Sequence, residues 1–240
     1  MEIKVNALVL KAVDYNENDK ILTLLTAEYG KITAGIKGVK KPAAKLRFAA
    51  QPFCFAEYVL SEKSGKYTVI NCSECESFFD LRTDICRFYA ACAVIEAAAA
   101  LTVEGEENAD VFYGSVRALT KMCAGDDERA PLIEYLTFIL GKSGYALSAG
   151  DCAVCGESLY AAEKMRFDMD TGTFTCFECG TGAGASRSTY HTLRKAEGKE
   201  YDEDFASADG EKRALRLIRE YFSYKTENPL KSLSEYIRLI

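Results

Sequence analysis

Apolar and polar positions alternate with a period of two from residue 3 to residue 72, and the period lengthens to that of a helix beyond residue 78. Residues 3–13 are rich in Val, Ile and Leu and read as a strand. A polar turn from Asp14 to Asp19 leads to a second strand at 20–27. Tyr29-Gly30 turns the chain into a third at 31–37, with Ile32, Ala34 and Ile36 on one face. A glycine-rich basic loop follows. Residues 52–60 read as a fourth strand, and Glu62-Lys-Ser-Gly65 is a hairpin turn into a fifth at 66–72. Five short strands with close turns predict a small closed barrel of the oligonucleotide-binding type, although an SH3-like barrel would give much the same pattern.

Helical spacing begins after Asp80, a good N-cap, with Leu81, Ile85, Phe88, Tyr89, Cys92, Ile95 and Ala99 on one side. Glu104 to Ala109 is an acidic linker. A second helix is expected from Asp110 to Cys123 and a third from Pro131, a favoured first-turn residue. Gly180 to Gly184 reads as flexible. Helical patterns return at 188–196, 210–224 and 232–240. The expected architecture is α+β and multidomain. A five-stranded barrel occupies residues 1–78, and a helical domain occupies 79–240 with an insertion at about 150–184.

That insertion holds the most specific motif. Cys152-Ala-Val-Cys155 and Cys176-Phe-Glu-Cys179 are two Cys-x-x-Cys knuckles separated by twenty residues. The spacing suits a four-thiolate zinc site, since each tight turn aims two sulfurs at one ion. Met165, Arg166, Phe167 and Phe174, around Thr171-Gly172, predict a hairpin that returns the second knuckle to the first. Four cysteines close the shell, so the Zn2+ is expected to be structural. A disulfide pair competes with this reading. The N-terminus starts on a strand pattern without signal-peptide architecture, and no apolar run reaches membrane length. A cytoplasmic protein is therefore expected, where thiols stay reduced. Cys72-Ser-Glu-Cys75 lacks a partner knuckle and reads as two incidental thiols.

The net charge of -6 disfavours a general polyanion binder. The charge is uneven, however. Lys31, Lys37, Lys40, Lys41, Lys45 and Arg47 fall in seventeen residues without an acid. Glycines at 35 and 38 let backbone amides approach an anion, and phosphates of DNA are the obvious ligand. Phe48, Phe53, Phe55 and Tyr58 are the nearby candidates for base stacking, although some must be core. Lys212, Arg213, Arg216 and Arg219 form a second basic set, diluted by Glu211 and Glu220. His191 is the only histidine and reads as structural. Phosphate-binding and dinucleotide motifs and a serine nucleophile elbow are all missing, so an enzyme is not expected.

Taken together, the barrel, the Gly35-Ile-Lys-Gly-Val-Lys-Lys-Pro42 loop leading to Gln51-Pro52-Phe53, the helical domain and the inserted knuckles resemble the bacterial recombination mediator family RecO. Asn228-Pro-Leu-Lys-Ser-Leu233 is similar to that family's C-terminal pattern. The resemblance covers nearly the whole chain. It implies a nucleoid-associated protein that binds single- and double-stranded DNA and anneals complementary strands. It also implies joint action with RecR and single-strand binding protein to load recombinase, without a nucleotide cofactor. The acidic, hydrophobic tail of single-strand binding protein would dock on the helical domain, with Arg216 and Arg219 as candidate receptor. The loop departs from the family pattern at Ala43-Ala44 and has fewer arginines, which implies modest DNA affinity. The rival reading is a zinc-stapled protein-interaction module with no DNA contact.

Overall fold

Fourteen residues of continuous strand pattern make β1 (Glu2–Tyr15) long enough to serve two neighbours. The computed structural model of the chain describes residues 1–125 and 127–240. In it, the first half of β1 pairs antiparallel with β4 (Phe55–Lys63) and the second half with β2 (Asp19–Thr26). A register shift between Val9 and Lys11 lets the strand bend from one partner to the other. β3 (Lys31–Ile36) runs antiparallel to β2, and β5 (Lys66–Glu76) runs antiparallel to β4 and parallel to β3. The barrel closes in the order β1-β2-β3-β5-β4.

Alternation places Val5, Ala7, Val9, Leu22, Leu24, Ile32, Ala34, Tyr58 and Leu60 inside the barrel. Leu8 and Leu25 have the opposite parity and are buried as well. Their cover comes from α1 (Ile85–Leu101), which packs on β1, and α2 (Ala109–Ala124), which packs on β2. Phe55 meets Phe112 edge-on at 5.9 Å in this outer layer. The barrel and both helices form one compact unit, Met1–Gly125.

Two of the boundaries that differ from the sequence reading have a clear cause. The fourth strand starts at Phe55, because Phe53 takes a left-handed turn at φ +68° and packs edge-on against Phe88 at 5.8 Å. Helix α1 is capped by Asp84, whose carboxylate accepts from the Arg87 amide, since Phe79–Arg82 forms a separate 3-10 turn.

The second compact unit, described from residue 127 onward, contains α3 (Arg129–Lys142), α4 (Arg187–Ala196), α5 (Ala208–Thr226) and α6 (Lys231–Leu239). Helix α5 packs against the other three. Between α3 and α4 in sequence lies a small antiparallel sheet of order β7-β6-β8, with β6 (Lys164–Asp168), β7 (Thr173–Cys176) and β8 (Ala183–Ser186). The expected hairpin is β6–β7. The glycine stretch expected to be flexible ends in a strand instead, and Gly182 sits so close to Phe167 that a Cβ there would lie 2.1 Å from its carbonyl oxygen. Among the described residues, no helix is long and apolar enough to cross a membrane.

Candidate metal centre and nucleic-acid interface

Each cysteine knuckle is one backbone turn. The Gly156 amide donates to the Cys152 carbonyl at 2.9 Å, and the Gly180 amide donates to that of Cys176 at 3.2 Å. The Ala153 amide donates to the Phe174 carbonyl at 3.1 Å, which ties the first knuckle to β7. The four sulfurs of Cys152, Cys155, Cys176 and Cys179 lie within 4.8 Å of one another. Those of Cys155 and Cys176 are 3.9 Å apart. A tetrahedral shell with metal–sulfur bonds of about 2.3 Å has an edge of about 3.8 Å, so the donor set fits a tetrahedral metal ion.

The protonation chemistry agrees. Amides of residues 155 and 176 point at the Cys152 sulfur and lower its pKa to about 6. Cys179 is pushed up to about 12, because hydrogen bonding with the Cys176 and Cys155 sulfurs favours its protonated form. Four thiolates this close repel one another unless a cation sits between them. With all four positions protein-derived, the shell has no place for substrate.

The basic loop is held in one shape by the turn between β1 and β2. The Gly38 amide donates to Asp19 Oδ1 at 2.8 Å, and the Lys40 amide donates to the Asn18 carbonyl at 3.0 Å. The six basic residues then part company. Lys31 donates from Nζ to the carbonyls of Ala99 and Thr102, at 2.7 and 2.6 Å, in the last turn of α1. Lys40 pairs with Asp14 at 2.6 Å, and that hydrogen bond holds the Asp14 carboxyl below the usual carboxylate range. Arg47 donates to the Lys41 carbonyl at 3.0 Å. Lys37, Lys41 and Lys45 are exposed, and no hydrogen bond or ion pair among the described residues engages their ammonium groups.

The aromatic candidates are displaced. Tyr58 and Phe53 are fully buried, and the Tyr58 hydroxyl donates to the Ala49 carbonyl at 2.7 Å inside the barrel. Phe48 packs on the barrel core, and Phe55 faces Phe112. None of these four is more than partly exposed, so none offers an open face. A different set does. A groove of about 660 Å³ runs over the outer face of β3, where Gly35 leaves the floor bare. Tyr15, Tyr29 and Tyr67 line it, together with Lys20, Lys37 and Lys66. Tyr15 is 54% exposed and Tyr29 40%. Strands two and three and the adjoining loops are where barrels of this type take oligonucleotides and oligosaccharides.

Most of the chain matches two models of one family. The family model described as "Recombination protein O N terminal" matches residues 1–78, and "Recombination protein O C terminal" matches residues 82–234. The chain belongs to the RecO family. It is 34% identical to the DNA repair protein RecO of Desulfitobacterium hafniense over 73% of its own length, and this match spans 64% of that protein. It is 30% identical to the protein of that name from Desulforamulus reducens, over 98% of this chain and 94% of that one. Identity to the Pelotomaculum thermopropionicum protein is 35%, over 73% of this chain and 68% of the relative.

The part matched by the RecO C-terminal model carries the second basic set. Lys212 donates to the Ile240 carbonyl, Arg213 pairs with Asp209 at 2.6 Å, and Arg219 pairs with Glu220 at 3.4 Å. Arg216 is exposed. It borders a groove of about 300 Å³ with Phe167, Met169, Leu217 and Arg213. His191 is fully buried, its Nδ1 accepting from the Asp202 amide and its Nε2 facing the Tyr160 carbonyl, both at 3.1 Å. Cys54 and Cys72 are pushed up to about 11 and about 12 by burial.

Proposed function

We propose that the chain acts without catalysis in DNA repair and recombination, as a mediator that binds DNA and anneals complementary strands. The observation that carries this reading is the β3 groove, with three tyrosines on its walls and Lys37 at its mouth. A single strand would stack bases on Tyr15 and Tyr29, beside the wall that Tyr67 forms as it packs on the barrel core. Base–aromatic stacking contributes about 1–3 kcal/mol per base and tolerates any sequence. Lys37, Lys41 and Lys45 would meet phosphates of that strand or of a second one. Neutralised strands repel each other less, so complementary bases can find each other. Double-stranded DNA would be held by the loop lysines alone. Family membership supports the repair role, since the relatives carry the name DNA repair protein RecO.

The cation proposed for the cysteine centre is Zn2+, which suits four soft thiolates in a tetrahedron. When bound it supplies a cross-link and no reactive position. The proposed partners are RecR and single-strand binding protein, with recombinase loading as the outcome and the nucleoid as the place of work. The groove beside Arg216 is lined by Phe167, Met169 and Leu217 together with Arg213, Arg216 and Glu220, and the Arg216 guanidinium suits the acid groups of an acidic, hydrophobic peptide tail. Arg219 lies one turn further along α5. Tail-peptide binding that persists after Arg216→Ala and Arg219→Ala would exclude this face.

The main test is annealing of complementary oligonucleotides, bare and coated with single-strand binding protein. The full chain is compared with a Lys37→Glu, Lys41→Glu, Lys45→Glu variant. The variant is expected to lose annealing and salt-dependent binding. Unchanged annealing would remove the loop from the site and favour a protein-interaction module.

A further inference from the structure

The β3 groove carries both signs of charge, with Asp19, Lys20, Lys37, Lys66 and Glu104 in its lining. Lys37 follows the last residue of β3. At the other end the acidic segment after α1 lies along the first half of the strand. The Gly105 amide donates to the Lys31 carbonyl at 2.9 Å, and the Thr33 hydroxyl donates to Glu104 Oε1 at 3.1 Å. Gly30, at φ +59°, approaches this segment so closely that a Cβ would lie 1.7 Å from the Glu106 carbonyl oxygen. Lys31 anchors the start of the segment through the Thr102 carbonyl. The strap is therefore fixed, and it brings Glu104 into the lining of the groove.

Parallel β5 reaches only the later residues of β3, from Ala34 onward. The edge of β3 before Ala34 is free for another segment, and the strap takes it through a bridge of Lys31 with Glu104. Thr33 and Lys37 are four residues apart, or about 13 Å along an extended strand. That distance spans only a few nucleotides. A polyanion running from Lys37 toward Thr33 meets the Glu104 carboxylate at the far end, where Lys66 on β5 is the nearest cation of the lining.

We propose that Glu104 closes the Tyr29 end of the groove to phosphate and so fixes the path of a bound single strand. The strand leaves over Lys37 and the basic loop, and does not continue past the strap. The carboxylate acts by repulsion, as a specificity-determining group that limits the bound length and directs the free strand toward the loop lysines. This rests on the reading of the groove as a single-strand site.

The experiment measures binding of fluorescent oligothymidylates of increasing length to the full chain at two salt concentrations. Glu104→Gln keeps an oxygen that can accept from Thr33 and removes the charge. It is expected to tighten binding by about fivefold at low salt, the order expected of one unit charge at contact distance in water. The length at which affinity levels off should also increase. Glu2→Gln makes the same change in net charge at a residue outside the groove lining and should change neither quantity. Equal affinity and equal plateau length for Glu104→Gln and the unmodified chain overturn the proposal, as do equal gains in the two variants. Tyr15→Ala, at an exposed residue of the lining, separates the levels. Lost binding in Tyr15→Ala with no effect of Glu104→Gln overturns the strap alone. Unchanged binding in Tyr15→Ala overturns the groove reading and the strap with it.

Discussion

The Lys31 ammonium lies 2.7 Å from the carbonyl oxygen of Ala99, in the last turn of α1, sixty-eight residues away in sequence. The last carbonyls of a helix have no partner within it, and a cation there also meets the negative end of the helix dipole. Lys31 thus ties the third barrel strand to the helix that covers the barrel. Lys31→Met is expected to lower unfolding free energy by about 1.5–3 kcal/mol, the range for a hydrogen bond with one charged partner. Urea denaturation reads this directly. The salt dependence of DNA binding should stay unchanged, because this ammonium is already engaged.

The metal centre predicts one ion per chain by elemental analysis of the protein purified without chelator. Structural zinc contributes on the order of 10–16 kcal/mol of apparent binding energy in peptides, so its loss is felt locally. A strong chelator or Cys155→Ser should therefore loosen the β6–β7 hairpin. The Cys176 amide, which donates to the Cys152 sulfur at 3.2 Å, is the reporter. Its hydrogen exchange should speed up strongly, while amides of the barrel strands keep their protection.

His191 supplies a pH dependence. Burial lowers its pKa below 6.5, because the charged ring is poorly solvated there. Its Nδ1 also accepts from the Asp202 amide, which requires an unprotonated nitrogen. The unfolded chain takes up a proton near pH 6.5 that the folded chain refuses until lower pH. This contribution to stability is thus present above pH 6.5 and declines as pH falls through the folded value. Urea midpoints measured across that range should fall on acidification. The decline should be shallower in His191→Gln, which has no proton to gain.

The knuckles were legible because two Cys-x-x-Cys turns at that spacing suit one tetrahedral metal ion, and the strands because one buried face imposes a period of two. The groove was not. Tyr15, Tyr29 and Tyr67 are far apart in sequence, and Tyr67 joins the others only because β5 runs parallel beside β3, with Tyr67 opposite Ala34. No local pattern encodes that pairing. The aromatics close to the basic loop in sequence, Phe53 and Tyr58, are drawn into the core by the same closure. Charge counting located the loop but could not divide it. Lys40 is held by Asp14, and Lys31 by α1, through contacts made only on folding. Residues 180–184 looked flexible because glycine has no side chain to pack, yet β6 offered an open edge that residues 183–186 take.

Cross-linking tests the groove most directly. A single strand carrying 5-iododeoxyuridine is irradiated with the intact chain, and the adducts are mapped by mass spectrometry. Adducts are predicted at Tyr15 or Tyr29, suppressed by unlabelled single strand. Adducts confined to residues 127–240, or none on the barrel under conditions where the strand is bound, would contradict it.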